Sequence, residues 1–513
     1  MSAVSGLADY IVKHPLSSYT YGSLAAAGVF ACLYPDRTIF TEKRQNLTAP
    51  RAWPLIGSFP SLLQWVTHVH EAFISGFDEV GKQTYLLNAI CIPQMIITND
   101  PANVEHILKR PNFSAAMDEL FGHGIFNANG EEWKFQRKTA SHVFNVKNFR
   151  DQFTDVFIEE IDYLTTHILD KAAEENKVID FHDLMFKFTL DSFILLGFGV
   201  HLNALKQEEK VPFAAAFDDA QKGTFFRMIN QFWPRTEPLT RLLGPVWIPN
   251  MPKSVKIVDE YARHVINQRR EQIANGEEHK DLLSRFITAS NADGQPLSDD
   301  ELRDIVLNFV IAGRDTTAQA LSWCFYQLSL HPRVERRLID EIDQYITDDL
   351  FTDSPAMYEV IKSNMVYTHA VFYETLRLYP SVPLNQKYAL KDDIWPDGTH
   401  IKKGDYVVWT PYAQGRSEKV WGPDAKHFKP ERWITPEGEL RRESQGKWPA
   451  FHAGPRVCLG QHLATLEALV AIIAILRKYK FTLQPGQDVT YQISLTLPMK
   501  HGVKFTVEHR QKK

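Results

Sequence analysis

Apolar residues recur along most of this chain with a helical period, and the longest such run begins at Ser298. Ser298 caps a helix, and Glu301, three residues on, completes a capping box. The run ELRDIVLNFVIAGRDTTAQALSWCFYQLSLHP then continues until Pro332 stops it. Leu302, Ile305, Val306, Phe309, Gly313, Thr316, Ala320 and Cys324 share one stripe. At 1.5 Å per residue the helix is a rod roughly 45 Å long, enough to cross a whole domain. Its middle, AGRDTT, is a weak point. A glycine costs a helix interior about 1 kcal/mol, and hydroxyls beside Asp315 offer the backbone carbonyls another partner. Two readings stay open: close helix packing over small residues, or a local opening that admits a ligand and a water.

Alternation with period two is scarcer, at Tyr85–Thr98, Tyr406–Thr410 and Phe481–Val503. Helical patterns dominate and no internal repeat occurs, so the predicted class is mainly α with small β-sheets, α+β. Pro50, Pro54 and Pro60 deny a helix to APRAWPLIGSFP. That stiff lead-in divides a leader, residues 1–49, from a single body, residues 50–513.

Composition narrows the classes. With 44% hydrophobic residues and a net charge of -5, the chain has an ordinary globular balance and no basic face for nucleic acid. Pro15–Pro35 carries no charge over a length near the ~20 residues of a bilayer span, which makes it a candidate membrane anchor. Arg37, Lys43, Arg44 and Arg51 follow it, so the positive-inside rule places the large body on the cytosolic side. The four cysteines, Cys32, Cys91, Cys324 and Cys458, lack the short spacing of a zinc clip or redox dithiol. By itself each reads as a small buried hydrophobe.

Four stretches in order change that reading for Cys458: AGRDTT, ETLR with Glu374 and Arg377 one helical turn apart, PERW with Arg432, and FHAGPRVCLG. Together they closely resemble the cytochrome P-450 superfamily of haem-thiolate monooxygenases, across nearly the whole chain. The resemblance implies the cytochrome P-450 fold, with haem b between the long central helix and the cysteine loop. It also implies that Cys458 is the iron ligand, in a loop shaped by Phe451, Gly454 and Gly460. A glycine-bent loop leading straight into a helix suits a thiolate, which needs backbone N–H donors. Trp133 and Arg137, in EEWKFQRK, correspond to a propionate-binding pair, as does Arg456. Lys387 stands where many relatives carry arginine and keeps the charge without the bidentate fork. Ala312 and Gly313 are expected against the cofactor; some animal fatty-acid hydroxylases have a glutamate at the position of Ala312 that esterifies haem, so covalent attachment is not expected here. By the same resemblance Thr316 carries the catalytic hydroxyl, Asp315 its neighbour in proton delivery, and Glu374, Arg377 and Arg432 form a structural triad.

AGRDTTAQALSW, GHGIFNANGEEWKFQRK and PYAQGRSEKVWGPDAKHFKPERW further resemble the microsomal fatty-acid and alkane ω-hydroxylases of fungi and plants. The implied reaction inserts one atom of O2 into a long-chain fatty acid, with electrons from NADPH delivered by NADPH-cytochrome P-450 reductase at the endoplasmic reticulum membrane. By analogy the substrate pocket involves Ala115 to Phe126, with Phe121 among them, then Phe213, Phe217, Phe225, Phe226, Phe309, Ala312, Val382, Leu384 and Leu495. Such apolar residues equally suit an alkane, a terpenoid, a sterol or a xenobiotic. A haem-binding sensor or carrier without turnover is the alternative of another class, against which the intact Thr316 and Asp315 weigh.

Overall fold

The computed structural model describes residues 15–39, 41–50, 52–65, 68–90, 94–110, 113–114, 118–209, 211–229, 250–279, 281–290 and 294–511. Helices surround a central one, and three small sheets lie at the margins, as the pattern predicts for the α+β class. The strands are β1 (Thr84–Leu87), β2 (Met95–Thr98), β3 (Phe113–Ser114), β4 (Ile179–Asp180), β5 (Asn385–Ala389), β6 (Asp393–Ile394), β7 (His400–Ile401), β8 (Tyr406–Trp409), β9 (Tyr479–Leu483) and β10 (Lys504–His509). They pair in the orders β1-β2-β8-β5-β3, β4-β10-β9 and β6-β7. The expected strand at Tyr85–Thr98 resolves into the antiparallel pair β1 and β2, with Leu87 opposite Met95. Most of Phe481–Val503 is not strand: it leaves β9 and loops through a bridge between Tyr491 and Met499 before β10. Pro485, Gly486 and Pro498 break the alternation there.

The central helix runs Asp299–Leu330, with both hydrogen bonds of the capping box formed. His331 ends it and Pro332 starts the next helix, Pro332–Tyr345. Its burial exceeds the stripe that the period implies. Between Ile305 and Phe325 every residue is buried except Ala312 and Thr316. The helix is continuous, and the Thr316 hydroxyl donates to the Ala312 carbonyl at 2.9 Å. Close packing accounts for Gly313: a Cβ there would sit 1.9 Å from Phe193 Cδ2 in the neighbouring helix Phe181–Phe198. Gly313, expected against the cofactor, therefore spends its missing side chain on a helix crossing.

The leader forms a helix at Pro15–Leu33, where Leu24, Val29 and Leu33 are exposed. Among the described residues no helix is long and apolar enough to cross a membrane, because Ser, Thr, Gly and Ala dilute this one. The stretch after it is bound to the body. The Thr38 N–H donates to Asn88 Oδ1 at 3.2 Å, the Leu86 N–H donates to the Thr48 carbonyl at 3.0 Å, and Arg44 pairs with Asp405. Thr38, Arg44 and Thr48, in the stretch that the sequence gives to the leader, are thus bonded to the body. Cys91, Arg51 and the pocket candidate Ala115 lie outside the described residues.

Candidate active site

The cysteine loop closes on itself: the Cys458 N–H donates to the Phe451 carbonyl at 2.8 Å. Two positive φ angles make the bend, 64° at His452 and 63° at Gly454. Gly454 is required for a second reason, since a Cβ there would lie 2.7 Å from the Leu108 carbonyl of helix Pro101–Lys109. Gly460 then caps the helix Gln461–Lys478, which is buried throughout its middle. At Gly460 a Cβ would meet only Cys458 Sγ, at 4.0 Å, so the space beside the sulfur is open.

Cys458 is exposed as a side chain, yet the protein around it desolvates the thiol and raises its pKa, against the opposing pull of the Gly460 N–H and the Arg137 charge. Exposure and desolvation coexist when a group faces an internal space. The helix packed against the cysteine helix has its two open positions, Ala312 and Thr316, one turn apart. Cys324, by contrast, is the core residue that a lone cysteine usually is, and burial pushes its thiol up to about 12.

Beside this space lies positive charge that no described carboxylate neutralises. Arg137 is half-buried on the helix Gly130–Ser141. Lys387, only 5% exposed, makes one long hydrogen bond, 3.4 Å to the Ile107 carbonyl. Burial, with the Arg456 charge adding to it, lowers its pKa to about 8. Burial and then the charge of Lys387 lower His452 to about 3. Arg456 lies over the Trp133 ring at 4.9 Å and donates from Nη2 to the Ala128 carbonyl at 2.6 Å and to Asn129 Oδ1 at 3.0 Å. These bonds fasten the cysteine loop to the Trp133 helix, a second task beyond the expected propionate contact. A buried, uncompensated cluster of cations calls for an anionic ligand. With an open sulfur, and with Ala312 and Thr316 unburied on the helix packed against the cysteine helix, the set fits haem and its two propionates.

The triad is assembled. Arg377 donates to both Glu374 oxygens, at 2.7 and 2.8 Å, and Arg432 adds a bond at 3.0 Å. Arg377 also reaches the Ala425 and His427 carbonyls, at 2.6 and 3.0 Å, and so ties down the loop that precedes PERW.

Asp315 sits elsewhere than expected. Its carboxylate accepts from Arg314 Nη1 at 3.1 Å and from Gln221 Nε2 at 2.5 Å, in the wall of a 210 Å³ cavity that also touches Lys222, Asp218 and Thr496. Three aromatic pocket candidates lie in packed interior. Phe121 stacks edge-on with Phe126 at 5.6 Å, Phe217 packs on Phe213 at 5.6 Å, and Phe309 faces Phe286 at 6.2 Å. Helical spacing places such rings on a core face as readily as on a pocket. Val382, Leu384 and Leu495 do keep accessible surface, while the Phe226 side chain lies outside the described residues. Sequence reasoning passes over Arg314, Gln221 and Gln319, all buried. Their one signal is polarity inside runs too apolar to face water.

A family model described as Cytochrome P450 matches residues 48–504. Cytochrome P450 704B1 of Arabidopsis thaliana is 36% identical, over 94% of this chain and 99% of that protein. Cytochrome P450 704C1 of Pinus taeda is 39% identical over 81% of this chain and 85% of its own length. Cytochrome P450 monooxygenase cyp1 of Mycosarcoma maydis is 33% identical over 95% of this chain and 79% of its own length. With the cysteine loop, the cationic cluster and the triad all in place, the chain belongs to the cytochrome P450 family of haem-dependent monooxygenases.

Proposed function

We propose that this monooxygenase hydroxylates long-chain fatty acids at or near the terminal methyl. The observation that carries the reading is that Ala312, Val382, Leu384 and Leu495, the pocket candidates that keep accessible surface, are all aliphatic. The resemblance of Gly313–Trp323 and Gly415–Trp433 to fatty-acid and alkane ω-hydroxylases points the same way. A primary C–H bond is stronger than its secondary neighbours, so terminal attack requires a pocket that admits only the chain end. Ala312 leaves room for that end, and Leu495 and Leu384 bound it.

Cys458 would hold haem b, which would supply the oxidising chemistry, with NADPH as the electron source through a separate reductase. The chain's own residues bind, orient and move protons. Arg137, Lys387 and Arg456 would meet the propionates, and the Gly460 N–H steadies the sulfur. The Thr316 hydroxyl, now resting on the Ala312 carbonyl, is free to turn and pass a proton to the open space. The Asp315 carboxylate, held by Arg314 and Gln221, lines a cavity of its own. The helix Pro15–Leu33 attaches the body to the endoplasmic reticulum membrane from the cytosolic side through its exposed Leu24, Val29 and Leu33.

Mass spectrometry of products from dodecanoic and longer acids tests the substrate. Terminal or near-terminal hydroxy acids are expected. No oxygenated acid, alongside turnover of a terpenoid, sterol or aromatic compound, discards the ω-hydroxylase and keeps the monooxygenase.

A further inference from the structure

Leu495 stands on a turn that has little secondary structure of its own, between the bridge partners Tyr491 and Met499. Free turns of this kind are the mobile parts of a fold, and a mobile wall selects poorly between neighbouring carbons. The central helix removes that freedom. Gln319, 1% exposed, donates from Nε2 to Thr496 Oγ1 at 2.8 Å and accepts the Leu497 N–H on Oε1 at 2.8 Å. Four residues on, one turn along the helix, Trp323 donates its indole N–H to the Leu497 carbonyl at 2.9 Å. The Leu497 N–H also reaches the Ser381 carbonyl at 3.1 Å, and the Ser381 hydroxyl donates to the Thr316 carbonyl at 2.7 Å. The two residues after Leu495 are therefore bolted to the same helix that carries Ala312 and Thr316, and Gln319 makes two of the bonds.

We propose that Gln319 is a positioning residue for regiospecificity: it locks the Thr496–Leu497 backbone so that Leu495, the preceding residue and a pocket candidate, stands as a fixed wall. This rests on the fatty-acid reading above. Neither Gln319 nor Thr496 touches substrate; both act through Leu495. Removing the buried amide takes the better partner from a side chain and from a backbone group at once. The Leu497 N–H keeps its 3.1 Å bond to the Ser381 carbonyl and Thr496 Oγ1 its 3.5 Å bond to Gln221 Oε1, so the turn, not the helix, loosens. Oxidation then spreads to inner carbons because the chain end has more than one seat.

The test uses the haem-loaded enzyme with dodecanoic acid and two variants, Gln319→Leu and, as a milder change, Thr496→Val. Hydrogen exchange at the 495–497 amides is expected to rise about tenfold in Gln319→Leu, with amides of the helix Gln461–Lys478 unchanged. In both variants the ratio of terminal to inner hydroxy acid should fall at least about threefold, while Gln319→Glu, which keeps an acceptor for the Leu497 N–H, recovers part of it. Unchanged exchange at 495–497, or raised exchange with an unchanged product ratio, overturns the clamp alone. A wild-type enzyme that yields no hydroxydodecanoic acid overturns the fatty-acid reading and the clamp with it.

Discussion

Arg377 grips Glu374 with two parallel bonds, Nε to Oε2 at 2.7 Å and Nη2 to Oε1 at 2.8 Å, and both side chains are wholly inaccessible to solvent. Glu374 also accepts from Arg432, from the Trp433 indole at 2.9 Å and from the Lys429 N–H at 2.7 Å. One carboxylate thus bonds two guanidiniums beneath the segment that leads to the cysteine loop, and Asp424 pairs with the second, Arg432, at 3.3 Å. Glu374→Gln keeps the shape and removes the charge, and breaking a buried pair in this way costs about 3–5 kcal/mol. A sharp loss of thermal midpoint and of recoverable haem-loaded protein is expected; a midpoint within a degree or two of wild type would refute the structural role.

Cys458 is the proposed iron ligand, and a thiolate ligand gives a haem-thiolate protein its red-shifted ferrous-carbonyl Soret band. Cys458→Ala removes it without disturbing the Phe451 carbonyl contact, which belongs to the backbone. The band should vanish while circular dichroism stays the same. Its persistence would assign the ligand to another residue.

Lys387 gives a pH signature in the haem-free protein. Its folded-state pKa, about 8, lies below the usual 10.5, so the unfolded chain binds the extra proton between those values. The folded state is therefore penalised in full below about pH 8, and the penalty shrinks as the pH rises towards 10.5. Lys387→Met should raise the stability of haem-free protein at pH 7 by something on the order of 2 kcal/mol, and by much less at pH 10. In the loaded enzyme the sign reverses, because the amine then faces an anion, and haem retention should weaken. Equal effects at both pH values in the haem-free protein would show that the cluster is compensated in some other way.

Gly313→Ala places a methyl 1.9 Å from Phe193 Cδ2 and 2.1 Å from its Cγ. Helix propensity favours alanine by about 1 kcal/mol, whereas overpacking a core costs about 1–3 kcal/mol. The clash should win, giving net destabilisation in chemical denaturation. Adding Phe193→Leu should restore most of it, since the two sites share one space. A stabilised single variant would mean that the helices move apart freely.

The amino-acid sequence by itself determined the long helix and both its ends, because caps, prolines and apolar period are local and add up over many turns. It determined the bend around Cys458 as well, since the positive φ at Gly454 favours glycine whatever surrounds it, while the close approach of the Leu108 carbonyl is tertiary. Local pattern does not say which face of a buried helix looks into space and which into a neighbour. Tertiary structure alone decided that Ala312 and Thr316 stay open while Gly313 meets Phe193, and that Phe217 and Phe309 join the core. It also decided that Asp315 turns from Thr316 towards Gln221 and Arg314, because that choice depends on helix Pro212–Ile229, which lies far off in sequence. The Gln319 clamp is of the same kind: its partners are separated by 177 and 178 positions in the chain, and only packing brings their polar groups within reach.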